Sequence, residues 1–213
     1  MDATVNRRMP SKTTNQGKHT RAERADDLYP TPEPLTKALI HHIELPKRIW
    51  EPAAGMGHMS KVLWDAGHVV HPTDLVDYGR ACIDVVVPKI DFFAQEHGPS
   101  GYDCIVTNPP FNCVDKFVRH GLTMVPTVWV LARLMFLEGA RRSDLIDEKL
   151  SQVLAFVERP PMMHRWSQGP DGIWREWQGK KSTSAMPFAW FEFKRAKKSA
   201  PTSLKRIRWR PHA

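Results

Sequence analysis

Two hundred and thirteen residues allow one full domain with extensions or two very small domains, and 41% apolar side chains are enough for a real core, which excludes a wholly disordered or fibrous chain. The longest stretch free of Asp, Glu, Lys and Arg runs from His120 to Ala132 and contains Pro126, too short for a membrane span, and the first 27 residues lack the apolar centre of a signal peptide. The net charge of +8 divides unevenly: residues 1–24 carry six Lys/Arg against two acids, residues 194–213 carry eight against none, and residues 25–193 are left at −4. An acidic body with basic ends is what a nucleic-acid enzyme with phosphate-attracting extensions would carry.

In chain order, residues 1–27 are polar and basic, the composition of a flexible arm. Leu35, Ala38, Leu39 and Ile43 recur at helical spacing and predict a helix over Pro34–Ile43 behind Thr31-Pro32. Arg48-Ile49-Trp50 reads as a short strand running into the turn Glu51-Pro52-Ala53-Ala54-Gly55-Met56-Gly57, with a helix from His58 to Ala66. His68-Val69-Val70 is a second strand ending at Asp74, and a weaker third strand precedes Asp91-Phe92-Phe93. Tyr102–Thr107 is a buried strand ending at Asn108-Pro109-Pro110-Phe111, Val114–Met124 a helix, Thr127–Leu131 a fifth strand, and a further helix lies near Glu138–Asp147. This alternation predicts a parallel α/β sheet covered on both faces. Val153–Val157 and Phe188–Phe193 complete it, separated by a Pro, Gly and Trp-rich insertion at 159–181, and residues 194–213 form a basic tail. The domain therefore spans 28–193.

Gly55 and Gly57 sit where the first strand turns into the first helix behind it, the place where an open α/β sheet binds ligands. The run continues to Ser60 instead of a third glycine, which disfavours pyrophosphate, while Asp74 at the next strand end suits ribose hydroxyls. A nucleoside without pyrophosphate fits, and S-adenosyl-L-methionine is one. In Asn108-Pro109-Pro110-Phe111 the prolines fix the direction of the Asn108 side chain and of the Pro109 carbonyl. Two such acceptors can bind both hydrogens of a planar nucleobase amine and turn its lone pair toward a methyl donor, and Phe111 offers a face for an extruded base. Trp166, Trp174 and Trp177 stand among Arg165, Arg175, Lys180 and Lys181 in the insertion, a mixture suited to base stacking and phosphate contact. Arg141 and Arg142, and Lys197, Lys198, Lys205, Arg206 and Arg208 in the tail, are further phosphate candidates. Cys82, Cys104 and Cys113 form no Cys-x-x-Cys pair, and His41-His42, His68 and His71 lack partners at ligand spacing, so no metal site is expected.

On these residues the chain resembles the class I S-adenosylmethionine-dependent methyltransferases of the amino-methyltransferase branch, most of all the small phage-type adenine-specific DNA methyltransferases. The resemblance covers roughly 28–193 and rests on Tyr29-Pro30-Thr31-Pro32, Glu51 to Gly57, Asp74, Asp91-Phe92-Phe93 and Asn108 to Phe111, with Leu137-Glu138-Gly139 and Arg141-Arg142 similar to a segment of the phage-type group. It implies a Rossmann-like fold with a mostly parallel seven-stranded sheet and helices on both faces. It implies Thr31 and Pro32 by the methionine end of the cofactor, and Glu51, Pro52, Ala53 and Gly55 to Gly57 by its amino acid. Asp74 would then lie on the ribose, Asp91 and Phe92 at the adenine, and Asn108, Pro109, Pro110 and Phe111 at the reaction. The implied substrate is adenine N6 in DNA, in the cytoplasm of a bacterial or phage-infected cell, with no membrane or protein partner. Phe111 stands where many DNA enzymes carry Tyr, and Phe also occurs in relatives acting on RNA. RNA adenine, a protein glutamine amide and an inactive nucleic-acid-binding module remain alternatives.

Overall fold

The computed structural model describes residues 29–78, 86–160, 162, 166–168, 174–176 and 186–210. A seven-stranded sheet is built from β1 (Arg48–Glu51), β2 (Val69–Pro72), β3 (Cys104–Thr107), β4 (Thr127–Arg133), β5 (Leu150–Phe156), β8 (Phe188–Lys194) and β9 (Ser203–Ile207), in the order β2-β1-β3-β4-β8-β5-β9. Only β8 runs against its neighbours β4 and β5; the remaining pairings are parallel. The central strands are buried on both faces, as their unbroken apolar runs demand. One face packs on α1 (Glu33–His42) and α2 (His58–Asp65) through Leu39, Leu63, Ile49, Leu131 and Trp190, and the Trp190 indole donates to the Leu35 carbonyl at 3.0 Å. The other packs on α3 (Val114–Met124) and α4 (Ser143–Lys149) through Phe117, Val118, Ile105, Phe191 and Phe193. Among the described residues no helix is long and apolar enough to cross a membrane.

The seven strands are not the seven read from the sequence. Among the described residues the expected third strand contributes one bridge, between Asp74 and Lys89, flanked by hydrogen bonds from Asp74 N–H to the Pro88 carbonyl and from Ile90 N–H to the Asp74 carbonyl. Pro88 has no N–H to continue a ladder there. The seventh strand comes instead from the tail, where β9 pairs parallel with β5 and buries Ile207 in the core. The tail thus adds a strand to the sheet, and its cations find acids outside it: Lys197 pairs with Glu148 at 2.9 Å, and Arg208 and Arg210 pair with Glu158 at 3.5 and 3.6 Å. The helix expected near Glu138 starts only at Ser143, behind two short 3-10 turns, Leu134–Leu137 and Ala140–Arg142.

Within the insertion, β6 (Trp166–Gln168) and β7 (Trp174–Glu176) form an antiparallel pair, with Trp166 opposite Glu176 and Gln168 opposite Trp174. Arg165, Trp177, Lys180 and Lys181 lie outside the described residues, as does the arm at 1–27.

Candidate active site at the carboxyl edge of the sheet

Four strands deliver a polar residue to one edge: β1 ends on Glu51, β2 runs to Asp74, β3 to Asn108, and β4 ends on Arg133. The first three line a single cleft with Tyr29, Thr31, Pro52, Ala53, Gly55, Asp91, Phe92, Pro109, Pro110 and Phe111. Pro32 and Gly57 stand just behind it, Pro32 as the cap of α1 and Gly57 as the cap of α2 with φ +80°, a conformation glycine adopts without strain.

The glycine turn is fixed by carboxylates on both sides. Asp74 accepts the Gly55 N–H at 2.7 Å on one oxygen and the Val76 N–H at 2.9 Å on the other, so each oxygen keeps capacity for a ligand hydroxyl. Burial pushes the Asp74 carboxyl up, opposed by those N–H groups. Glu51 is 2% exposed, and burial pushes it up to about 8 although the Ser60 hydroxyl donates to it. Ser60 occupies the place of the third glycine in a dinucleotide loop, and its hydroxyl serves the buried glutamate. That function was not visible in the sequence, where Ser60 registered only as a missing glycine. A buried carboxylate whose donors, the Ser60 hydroxyl and backbone N–H, are both neutral is short of a cation, which an α-ammonium group would supply. The acceptors Asp74 and Glu51 and the apolar Phe92 together suit an amino acid joined to a nucleoside, so these residues fit S-adenosylmethionine.

At Asn108 the amide is held by its nitrogen. Nδ2 donates to the Tyr29 carbonyl and to Thr31 Oγ1, both at 3.1 Å, which turns Oδ1 the other way; Oδ1 is buried and has no hydrogen-bond partner among the described residues. The partners are 79 and 77 residues distant in sequence, so nothing local marks them. The ring of Phe111 stacks on Tyr29 with centroids 5.4 Å apart, leans on Phe188, and lies under the Arg133 guanidinium at 4.7 Å. A base stacking on Phe111 therefore takes the place of one of these neighbours.

Phosphate candidates are scattered. Arg141 and Arg142 follow β4 at the cleft edge, and Arg208 follows β9, which runs parallel to β5, at that edge too. Lys205 and Arg206 are exposed on β9 itself. Lys197 and Lys198 follow β8 and so stand at the opposite edge, where Lys198 donates to the Ile146 carbonyl and to Thr202. Trp166, Trp174 and Arg175 sit on the β6–β7 pair. Among the described residues no His, Cys, Asp and Glu group could hold a metal ion.

No protein-family model matches the chain, and neither does any curated protein. Similar solved structures exist. A modification subunit from Vibrio vulnificus YJ016, named for a type I restriction enzyme, is 11% identical with a TM-score of 0.53, over 84% of this chain and 47% of its own. A type I restriction-modification methyltransferase subunit from Streptococcus thermophilus is 11% identical with a TM-score of 0.50, over 78% and 44%. A Pyrococcus horikoshii protein that bears the name of an RNA methyltransferase is 15% identical with a TM-score of 0.52, over 83% and 91%. The chain spans less than half of either restriction subunit and most of the Pyrococcus protein. Together with the sheet order and its one antiparallel strand, these likenesses identify the fold as the Rossmann-like fold of class I methyltransferases.

Proposed function

We propose that the protein is an S-adenosylmethionine-dependent methyltransferase acting on the exocyclic amino nitrogen of adenine in DNA. The observation that carries this reading is the Asn108 amide, held by its nitrogen so that a buried oxygen faces no partner in the cleft. An unpaired buried acceptor costs free energy and persists where a ligand donor is to meet it. In the reaction Asn108 Oδ1 accepts one hydrogen of the amine and the Pro109 carbonyl the other, so the nitrogen pyramidalises and its lone pair becomes available. When bound, the cofactor would supply an electrophilic methyl group on a positively charged sulfur: the C–S bond would break as the C–N bond forms, the sulfur would leave as a neutral thioether, and the surplus amine proton would pass to water. Glu51 would hold the amino group, Asp74 the ribose and Phe92 the adenine ring. No Ser or Cys nucleophile is required. The similar folds named for restriction-modification and for RNA methylation are both consistent with a nucleic-acid substrate.

The test is mass spectrometry of nucleosides from DNA and RNA of cells expressing the protein or its Asn108→Ala variant. N6-methyladenine in DNA is expected, with a single-turnover rate at least about a hundredfold lower for the variant, the scale of losing one oriented group in a transition state, and cofactor affinity within several-fold. Methylation confined to RNA moves the substrate; a variant of near-normal rate refutes the two-acceptor mechanism.

A further inference from the structure

Beyond the end of β4 the same edge holds a second cavity, of about 400 Å³, that the proposed chemistry does not use. Phe111 lines both this cavity and the cofactor cleft, so one aromatic ring stands between them. The second cavity is built around two arginines. The Arg133 guanidinium lies 4.7 Å over Phe111, and that of Arg142 lies 4.7 Å over Phe136. Arg142 is folded into place by a hydrogen bond from its Nε to the Glu138 carbonyl at 2.7 Å. Gly139 makes room for it: its φ is +104°, and a Cβ there would sit 3.2 Å from a terminal Arg142 nitrogen. Arg133 Nε is buried and has no hydrogen-bond partner among the described residues. A guanidinium is permanently charged, so a buried N–H of this kind cannot be relieved by losing its proton and is short of an acceptor.

We propose that this cavity seats a backbone phosphate of the substrate strand beside the target nucleotide, with Arg133 gripping it through its planar fork and Arg142 closing from the rim. The proposal rests on the nucleic-acid methyltransferase reading and extends it to how the strand is held. Two arginines against one glutamate, the exposed Glu138, leave the lining with a single net positive charge, equal and opposite to one phosphodiester. The guanidinium fork matches phosphate oxygens bidentately, and the buried Val114, Ala132 and Phe136 give the pairing an apolar wall. A nucleotide whose base passes Phe111 toward Asn108 leaves its phosphate on the Arg133 side of that ring. Arg133 is then a positioning residue.

The experiment uses the full chain and an oligonucleotide that it methylates, with a neutral methylphosphonate replacing each phosphate flanking the target adenosine in turn. One of the two replacements should weaken wild-type binding by on the order of tenfold or more, the value of a charge-assisted pair. Arg133→Gln and Arg142→Gln should each weaken binding to the natural strand and shrink the penalty of that same replacement, and the double variant should be indifferent to it. The double variant should also lower the slope of log affinity against log salt by about 0.9 on duplex DNA or about 0.7 on a single strand, one phosphate contact, and each single variant by no more than that, with sequence preference unchanged. Calorimetric S-adenosylmethionine affinity within several-fold of wild type certifies the fold. If Arg133→Gln fails that check, Arg133→Lys and the surface variant Arg142→Gln carry the test. Additive losses between variant and methylphosphonate, normal binding by both variants, or an altered sequence preference at constant salt slope overturns the proposal. A wild-type protein that methylates neither DNA nor RNA fails the underlying reading first, before any variant is made.

Discussion

Glu51 carries the largest conflict between charge and surroundings in the cleft, and it yields a pH prediction. Its carboxyl is raised to about 8 by burial, so below that pH it is protonated in the free protein, and in the unfolded chain it is ionised above the ordinary carboxylate value of 4.5. The folded state therefore binds the extra proton between those values, and apo stability falls as pH rises through that window. A ligand ammonium reverses the preference and favours the carboxylate. S-adenosylmethionine affinity should rise roughly tenfold per unit as pH climbs toward 8, then decline as the ligand amine, whose pKa is also about 8, loses its proton. Glu51→Gln should flatten the rising limb, and calorimetry in buffers of different ionisation enthalpy should detect proton release on binding to wild type only. A variant with the same rising limb would mean that another group titrates. The identity of Glu51, Asp74 and Asn108 as strand-end residues was legible because a short apolar run followed by Gly or Pro marks where a parallel strand stops. Ser60 against Glu51, Tyr29 and Thr31 on Asn108, and Arg133 over Phe111 were not, because each pairing is made by tertiary approach.

At the scale of elements, α3 matches its predicted span of Val114–Met124, and the core strands differ from theirs by a few residues at the ends. The two edges of the sheet differ most. On one side, among the described residues, a single bridge between Asp74 and Lys89 follows β2, and on the other β9 adds a strand on which Ser203, Lys205 and Ile207 share a face, with Ile207 alone buried. Only one of these three is apolar, so charge masked the period-two signal and the segment read as a tail. Ile207 is 1% exposed and packs with Leu154 and Trp190, and the Trp209 indole just beyond donates to the Glu158 carbonyl at 3.1 Å. Ile207→Ala should then cost about 2 to 5 kcal/mol of stability, the range for truncating a buried aliphatic residue, while leaving cofactor affinity near wild type. Urea denaturation measures it. A cost below half a kilocalorie per mole, the scale of an exposed substitution, would show that β9 is not part of the cooperative domain.

For the whole molecule, the direction of the strands decides which positive charges can share a ligand with the cleft. β9 runs parallel to β5, so Arg208 and Arg210 leave it at the edge where Asn108 and Arg133 lie, whereas Lys197 and Lys198 follow the antiparallel β8 to the far edge. Arg208 and Arg210 share Glu158 at 3.5 and 3.6 Å with half or more of each side chain exposed, and such pairs are worth no more than about 1 kcal/mol, little enough for a phosphate to displace. Lys197 is held by Glu148 and Lys198 by Thr202 and the Ile146 carbonyl, in bonds that fasten the chain between β8 and β9. Counting charge along the sequence treated all eight tail cations alike; topology separates them. Replacing Arg208 and Arg210 by Gln should lower the slope of log affinity against log salt by up to about 1.8 on duplex DNA, two contacts at about 0.9 each. Replacing Lys197 and Lys198 should lower it by less than about 0.5, because those cations face away from a strand lying across the cleft. Fluorescence anisotropy across a salt series on the two double variants decides it. Equal falls in slope would mean that nucleic acid wraps both edges of the sheet, and no fall for the arginine pair would leave phosphate contact to Arg133, Arg141, Arg142 and the β6–β7 insertion.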